Sequence, residues 1–226
     1  MDRDAIEALV RQTVERALGV GQTAIVDADM VQNWPEGSKL TVAPNAIVTP
    51  LARQAAMERK IAFVSAELTA EISAEAAKTV AIGADHGGYP LKEQLKPVLE
   101  KLGYTVADCG THSTESVDYP DYAYAVARLV ADGKAANGIV VDGAGIGSCM
   151  AANKVPGVRA ALCYDQSTAS NSREHNHANV LTLGAGLIGF NLAAQIVTTW
   201  LATPFGPDRH ARRVEKITRI EQRYTR

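Results

Sequence analysis

Gly138-Ile139-Val140-Val141-Asp142-Gly143-Ala144-Gly145-Ile146-Gly147-Ser148-Cys149-Met150-Ala151-Ala152-Asn153-Lys154 sets a short apolar run against a glycine turn. The run 138–141 has the uninterrupted apolar character of a strand buried on both faces. Asp142 closes it, three glycines at alternate positions follow, and a helix is predicted from 149 onward. A glycine turn entering a helix lines up backbone N–H groups at the positive end of the helix dipole, a place suited to an anion or a developing oxyanion. A carboxylate beside such a cradle points to proton chemistry on a sugar or carbonyl substrate.

The same alternation extends outward on both sides. Apolar runs predict strands at 79–84, 105–108, 138–141, 159–163 and 180–183. Helical spacing fills 90–102, 119–132, 149–154, 168–175 and 188–201, with a last helix over about 208–223. Five short strands with helical crossovers imply an α/β fold: a Rossmann-like, open five-stranded parallel sheet covered by helices on both faces. Ligands of such sheets bind at the carboxyl ends of the strands. Asp85-His86, Asp142 and Asp165 follow predicted strand ends and are therefore the polar residues to weigh first.

Upstream the pattern changes twice. In residues 3–18, Ile6, Leu9, Val10, Val14, Ala17 and Leu18 recur at helical spacing between charged residues, and Gly19 and Gly21 end the run. This predicts a leading amphipathic helix over 1–20 that docks on its own domain or a second copy, or presents its stripe to another protein. Residues 21–78 form a small α/β appendage and linker, with apolar runs at 24–26, 40–42, 46–48 and 61–64 and a helix over 50–60. The appendage carries no His, no Cys and no convergent acid pair, so the chemistry is expected in residues 79–226.

A net charge of −2 without a basic stretch argues against nucleic acid or a membrane surface as the main partner. No segment approaches transmembrane length, and the N-terminus lacks a secretory pattern. Cys109, Cys149 and Cys163 make neither a CxxC pair nor an even-numbered framework, which favours a reduced, cytoplasmic setting without structural zinc.

The glycine loop has a rival reading as a dinucleotide fingerprint, with Asp165 some twenty residues on. That fingerprint needs two residues between its second and third glycines, and only Ile146 stands there. Asp85-His86-Gly87-Gly88-Tyr89-Pro90 is either a helix cap or a polar site at the ligand edge. Arg173-Glu174-His175-Asn176-His177 is a dense titratable cluster at a predicted helix end, without the HExxH spacing of a metal site.

Together these motifs resemble the type B ribose-5-phosphate isomerase family, which includes galactose-6-phosphate isomerase subunits. The resemblance covers residues 79–226 and is carried by Gly83-Ala84-Asp85-His86-Gly87-Gly88, Asp118-Tyr119-Pro120, the glycine loop with Ala151-Ala152-Asn153-Lys154, Arg173-Glu174-His175-Asn176, and Arg209-His210 with Arg213. It implies interconversion of ribose 5-phosphate and ribulose 5-phosphate through a cis-enediol, with no metal and no cofactor. It places Asp85 near the sugar ring oxygen, His175 at ring opening, and Asn176, Tyr119, Gly143, Ala144, Gly145 and Gly147 at substrate oxygens. Arg209 and Arg213, with His86 nearby, match the phosphate clamp. A homodimer or dimer of dimers with the site at the subunit interface is implied.

Three positions depart from the family pattern. Asp142 stands where many members carry a cysteine base, and Ser148 where another branch carries a glutamate, so Asp142 is the candidate base with Cys149 behind it. Ala144 replaces a threonine or serine, and Gly186 replaces a phosphate-binding arginine. Another phosphosugar, a hexose 6-phosphate or a tetrose phosphate, and a catalytically weak sugar-phosphate-binding or assembly component stay open as alternatives. The 3–18 helix is similar to the encapsulation peptides of bacterial microcompartments, which implies a shell protein as partner and a place in the compartment lumen.

Overall fold

The structure, a computed structural model, describes residues 25–224. The predicted helix over 3–18 lies outside them. The chain divides into two compact units, Met1–Ile72 and Ser73–Arg226.

The described part of the first unit is built from two β–α–β passages. These are β1 (Ile25–Val26), α1 (Ala28–Gln32) and β2 (Lys39–Val42), then β3 (Ile47–Val48), α2 (Pro50–Glu58) and β4 (Ala62–Ser65). Corresponding strands pair in parallel, β1 with β3 and β2 with β4, so Ala24-Ile25-Val26 and Ala46-Ile47-Val48 mark an internal repeat. Each helix opens on a side-chain cap: Asp27 accepts from the Met30 amide and Thr49 from the Ala52 amide. Val26, Val31, Leu40, Ala52, Ala56 and Ile61 are buried between the passages. The five-residue α1 is absent from the sequence prediction because it is too short to show a helical period. Its cap and the fully buried Val31 hold it instead.

After α3 (Ala66–Ala77) comes the large sheet of the second unit. Its strands are β5 (Thr79–Ala84), β6 (Thr105–Asp108), β7 (Asn137–Asp142), β8 (Ala160–Leu162) and β9 (Val180–Gly184), in the order β6-β5-β7-β9-β8 and all parallel. The predicted α/β fold with a five-stranded parallel sheet is thus observed. Val80, Ile82, Ile139, Val141, Leu181 and Leu183 face α4 (Tyr89–Lys101), α7 (Gln166–Asn176) and α8 (Phe190–Ala202), packing with Leu95, Ile196 and Trp200. Ala81, Val140 and Val180 point the other way, onto α5 (Tyr119–Ala131) and α6 (Ile146–Ala152). Residues one apart serve opposite faces, as the two-residue strand period requires. A final helix, α9 (Pro207–Tyr224), packs on α7. Among the described residues no helix is long and apolar enough to cross a membrane.

Two helices start earlier than their apolar residues suggest. Gly145 adopts φ 76° and serves as the N-cap of α6, which moves that helix start to Ile146. Asp165 closes a capping box with Thr168 on α7, so its place at a strand end has a local structural use.

At the β6 edge the ammonium of Lys92, fully buried, meets Asp108 at 2.5 Å and Glu93 at 3.1 Å, and Lys96 meets the other Asp108 oxygen at 2.9 Å. Burial alone would raise the Asp108 carboxyl, but hydrogen bonds from Lys92, Lys96 and the Gly110 amide outweigh it and hold it at about 2. A carboxylate depressed in the folded state adds stability above its unfolded value, near 3.9, and loses it as pH falls toward 2. Asp108→Asn should therefore be less stable than the natural chain at pH 7, and chemical denaturation should show the gap closing between about pH 4 and 2.

Candidate active site

The carboxyl edge of the sheet is organised by Asp142. Its side chain is buried and turned into its own loop: Oδ1 accepts from the amides of Ala144, at 2.8 Å, and Gly145, while Oδ2 accepts from the Ser148 amide at 3.1 Å and the Ser148 hydroxyl at 2.5 Å. A carboxylate offers about four lone-pair sites, and four donors occupy them. Tyr164, two residues past the end of β8, braces the loop by donating its hydroxyl to the Ala144 carbonyl at 2.8 Å. The amides of Gly143, Ile146 and Gly147 have no partner among the described residues. Of the expected substrate-binding loop positions, Gly143 and Gly147 therefore present open donors, whereas those of Ala144 and Gly145 are consumed internally.

Asp85 ends the neighbouring strand. It is 8% exposed, and its Oδ1 accepts one hydrogen bond, from the Gly88 amide at 2.8 Å. A Cβ on Gly88 would fall 2.0 Å from the Val141 carbonyl oxygen, so only glycine lets this turn close onto β7 beside Asp142. His86 is anchored through Nδ1, which faces the Val117 carbonyl at 3.1 Å and the Val117 amide at 3.2 Å. The Tyr119 ring covers Gly147, where a Cβ would come within 2.5 Å of it. Gly186 donates its amide to Gly143 O at 2.9 Å, and a Cβ there would sit 3.0 Å from the same oxygen.

His175, Asn176, Arg209 and Arg213 belong to the other end of the sheet. α7 runs back from the carboxyl edge to the amino edge, so its last turn lies beside the starts of β8 and β9. The Arg159 amide bonds Asn179 Oδ1 at 2.7 Å and the Arg159 Nε bonds the His177 carbonyl at 2.9 Å. The five residues of β9 alone span ~16 Å. One chain therefore carries Asp85, His86, Tyr119 and the loop at one edge and His175 and Asn176 at the opposite edge; it does not bring the predicted site residues together.

At that amino edge His175 stacks on His210 with ring centroids 4.1 Å apart. Asn171 Nδ2 lies 2.9 Å from His175 Nδ1, and Arg209 donates through Nε to His210 Nε2 at 3.4 Å. Burial lowers the proton affinity of His210, and the neighbouring His175, Arg209 and Arg213 lower it further against the opposing pull of Glu174. In the sequence, only its adjacency to Arg209 marks His210 as a residue of this cluster. A cavity of about 670 Å³ at this edge is lined by Lys154, Arg159, Asn176, Ile217, Ile220 and Tyr224, among others. Among the described residues no three metal-binding side chains converge.

Comparison with known proteins gives this geometry its class. Residues 80–217 match the model of the Ribose/Galactose Isomerase family, and the chain belongs to that family. The catalytic unit is that of a sugar-phosphate aldose–ketose isomerase. The chain is 45% identical to ribose-5-phosphate isomerase B of Escherichia coli over 65% of its own length and 98% of that relative. It is 44% identical to the D-erythrulose-4-phosphate isomerase of Pectobacterium atrosepticum over 62% of its length and 92% of the relative. Among solved structures, ribose-5-phosphate isomerase B of Clostridium thermocellum is similar with TM-score 0.64 and 52% identity, covering 65% of this chain and 99% of that one.

Two groups expected at the chemistry are held by contacts of their own. Asp142 ends β7 at the carboxyl edge, and its engagement by four donors makes it the brace of the loop. The Cys149 thiol points to the Ala160 carbonyl at 3.5 Å, toward the amino end of β8. Asp142→Asn turns an amide donor toward donors of the loop, so melting temperature and activity should fall together, with about 1–3 kcal/mol lost per unsatisfied amide. Cys149→Ser should be nearly neutral in both calorimetry and turnover.

Proposed function

We propose that this chain interconverts ribose 5-phosphate and ribulose 5-phosphate through a cis-enediol. The observation that carries the reading is the carboxyl edge itself: two strand-end carboxylates beside open loop amides that can receive an enediolate oxygen. The named activity of the Escherichia coli relative supports the pentose phosphate. A tetrose phosphate is the second reading, favoured by the Pectobacterium relative and by Gly186, which adds no side chain beside the loop. Turnover of a panel of aldose and ketose phosphates followed by NMR tests both, and fastest conversion of ribose 5-phosphate is expected.

Arg209 and Arg213 are assigned to the phosphate, and His175 to opening the sugar ring, with Asn176 on a substrate oxygen. Because these lie at the edge opposite Asp85, we assign the working site to two copies of the chain, the amino edge of one against the carboxyl edge of the other. Asp85→Asn and His175→Ala should each be inactive alone, yet mixing and reassociating them should restore about a quarter of the native sites, since half the dimers are hybrids with one intact site. No recovery in subunits shown to exchange would place the whole site in one chain.

The leading segment is assigned to a shell protein of a bacterial microcompartment, supported by its stripe of Ile6, Leu9, Val10, Val14 and Leu18. Residues 1–20 fused to a fluorescent protein should co-assemble with shell, and Leu9→Glu with Val10→Glu should abolish this by charging the stripe. Loss of the dimer on removing the segment would instead make it an ordinary structural helix.

A further inference from the structure

We infer that Asp85, and not Asp142, moves the proton between the two reacting carbons, which sit over the bare face of Gly87. This rests on the isomerase reading above and assigns a role within that site. The two strand-end carboxylates are adjacent but differently committed. Asp142 holds four donors. Asp85 accepts one hydrogen bond among the described residues, from Gly88, which leaves most of its lone-pair sites available.

Gly87 locates the space these lone pairs reach. It is exposed, and a Cβ built on it would lie 3.5 Å from Asp85 Oδ1 and 3.9 Å from the Gly143 amide nitrogen. The open volume over Gly87 is thus bounded on one side by a carboxylate with a free lone pair and on the other by an unpartnered N–H. A carbon acid needs both, a base at the C–H bond and a donor at the oxygen that takes up the charge.

The transfer balances within the substrate. From an open-chain ketose phosphate Asp85 takes a proton from C1. The C1–H electron pair becomes the second C1–C2 bond, and the carbonyl pair moves onto O2, opposite the Gly143 amide. The proton returns to C2, the O1 proton passes to O2, and the C1–O1 bond becomes a carbonyl. C1 is oxidised, C2 is reduced, and no other reactant takes part.

Ribulose 5-phosphate separates this role from ring opening, because its C5 oxygen is esterified and it has no five-membered ring to open. Exchange of its C1 proton with deuterium oxide, followed by NMR in the full-length protein, should fall by ~10²–10⁴-fold in Asp85→Asn. In Asp85→Ala, added formate, a small carboxylate that fits the vacated volume, should recover part of the rate; a merely structural residue would show no such rescue. Gly87→Ala, whose new methyl makes only ordinary contacts, should keep the native melting temperature and lose exchange. Exchange at the natural rate in Asp85→Asn would overturn the assignment, as would loss without formate rescue in an Asp85→Ala that melts normally. Absence of exchange in the natural enzyme would overturn the ribulose 5-phosphate reading itself and this assignment with it.

Discussion

Four donors closing on the Asp142 carboxylate are the constraint from which the rest of the site follows. An ionised carboxylate is costly to bury unless it is fully hydrogen-bonded, and charge-assisted hydrogen bonds from three amides and a hydroxyl meet that requirement. Their geometry permits one path for residues 143–148. Gly145 takes the left-handed conformation, α6 begins at Ile146, and the loop is pressed onto β9 so closely that a Cβ on Gly184 would lie 2.7 Å from the Ala144 carbonyl. Tyr164 pins the same carbonyl from the far side. What is left without a partner among the described residues is the amides of Gly143, Ile146 and Gly147, fixed before any substrate arrives. Preorganised donors of this kind stabilise a developing oxyanion without reorganising during the reaction.

A rigid loop of this construction also divides labour between two carboxylates that one strand pairing brings side by side. Ala84 pairs with Val141 in the ladder, so the residues following them leave the sheet together. The Asp85 amide donates to the Val141 carbonyl, and Gly88 packs on the same carbonyl, which fixes the Asp85 turn to the end of β7. One acid holds the fold of the site, and its neighbour keeps its lone pairs. The parallel sheet that sets this register also sends the return helix α7 to the far edge, which is why His175 and the arginines lie away from the two carboxylates within one chain.

Much of this was legible in the sequence because parallel strands buried on both faces leave unbroken apolar runs. All five strands of the large sheet, and the glycine loop between β7 and α6, fall where the pattern puts them. Helix starts shifted because capping is decided by a backbone angle at Gly145 and a side-chain contact at Asp165, neither of which has a period. The orientation of Asp142 was not legible for a related reason. A carboxylate beside a glycine loop can face substrate or face the loop, and composition does not distinguish the two. Ser148, which donates to it, carried the signal as a buried hydroxyl six residues on, but only geometry shows that the two meet.

The amino edge completes the electrostatic picture. Arg173 lies over the Trp200 ring with its Nε unpartnered, and Arg159 is partly buried beside it. Burial, then Arg159 and Arg173, lowers the proton affinity of His177, as burial and the charges around it lower that of His210. This edge gathers guanidinium groups, and those beside His177 and His210 disfavour protonation of these two rings. An anion placed beside Arg209 and Arg213 would offset part of that field, so anion binding and proton uptake at His210 would favour each other. A neutral imidazole can accept a proton, and an anion bound beside it stabilises the imidazolium that results.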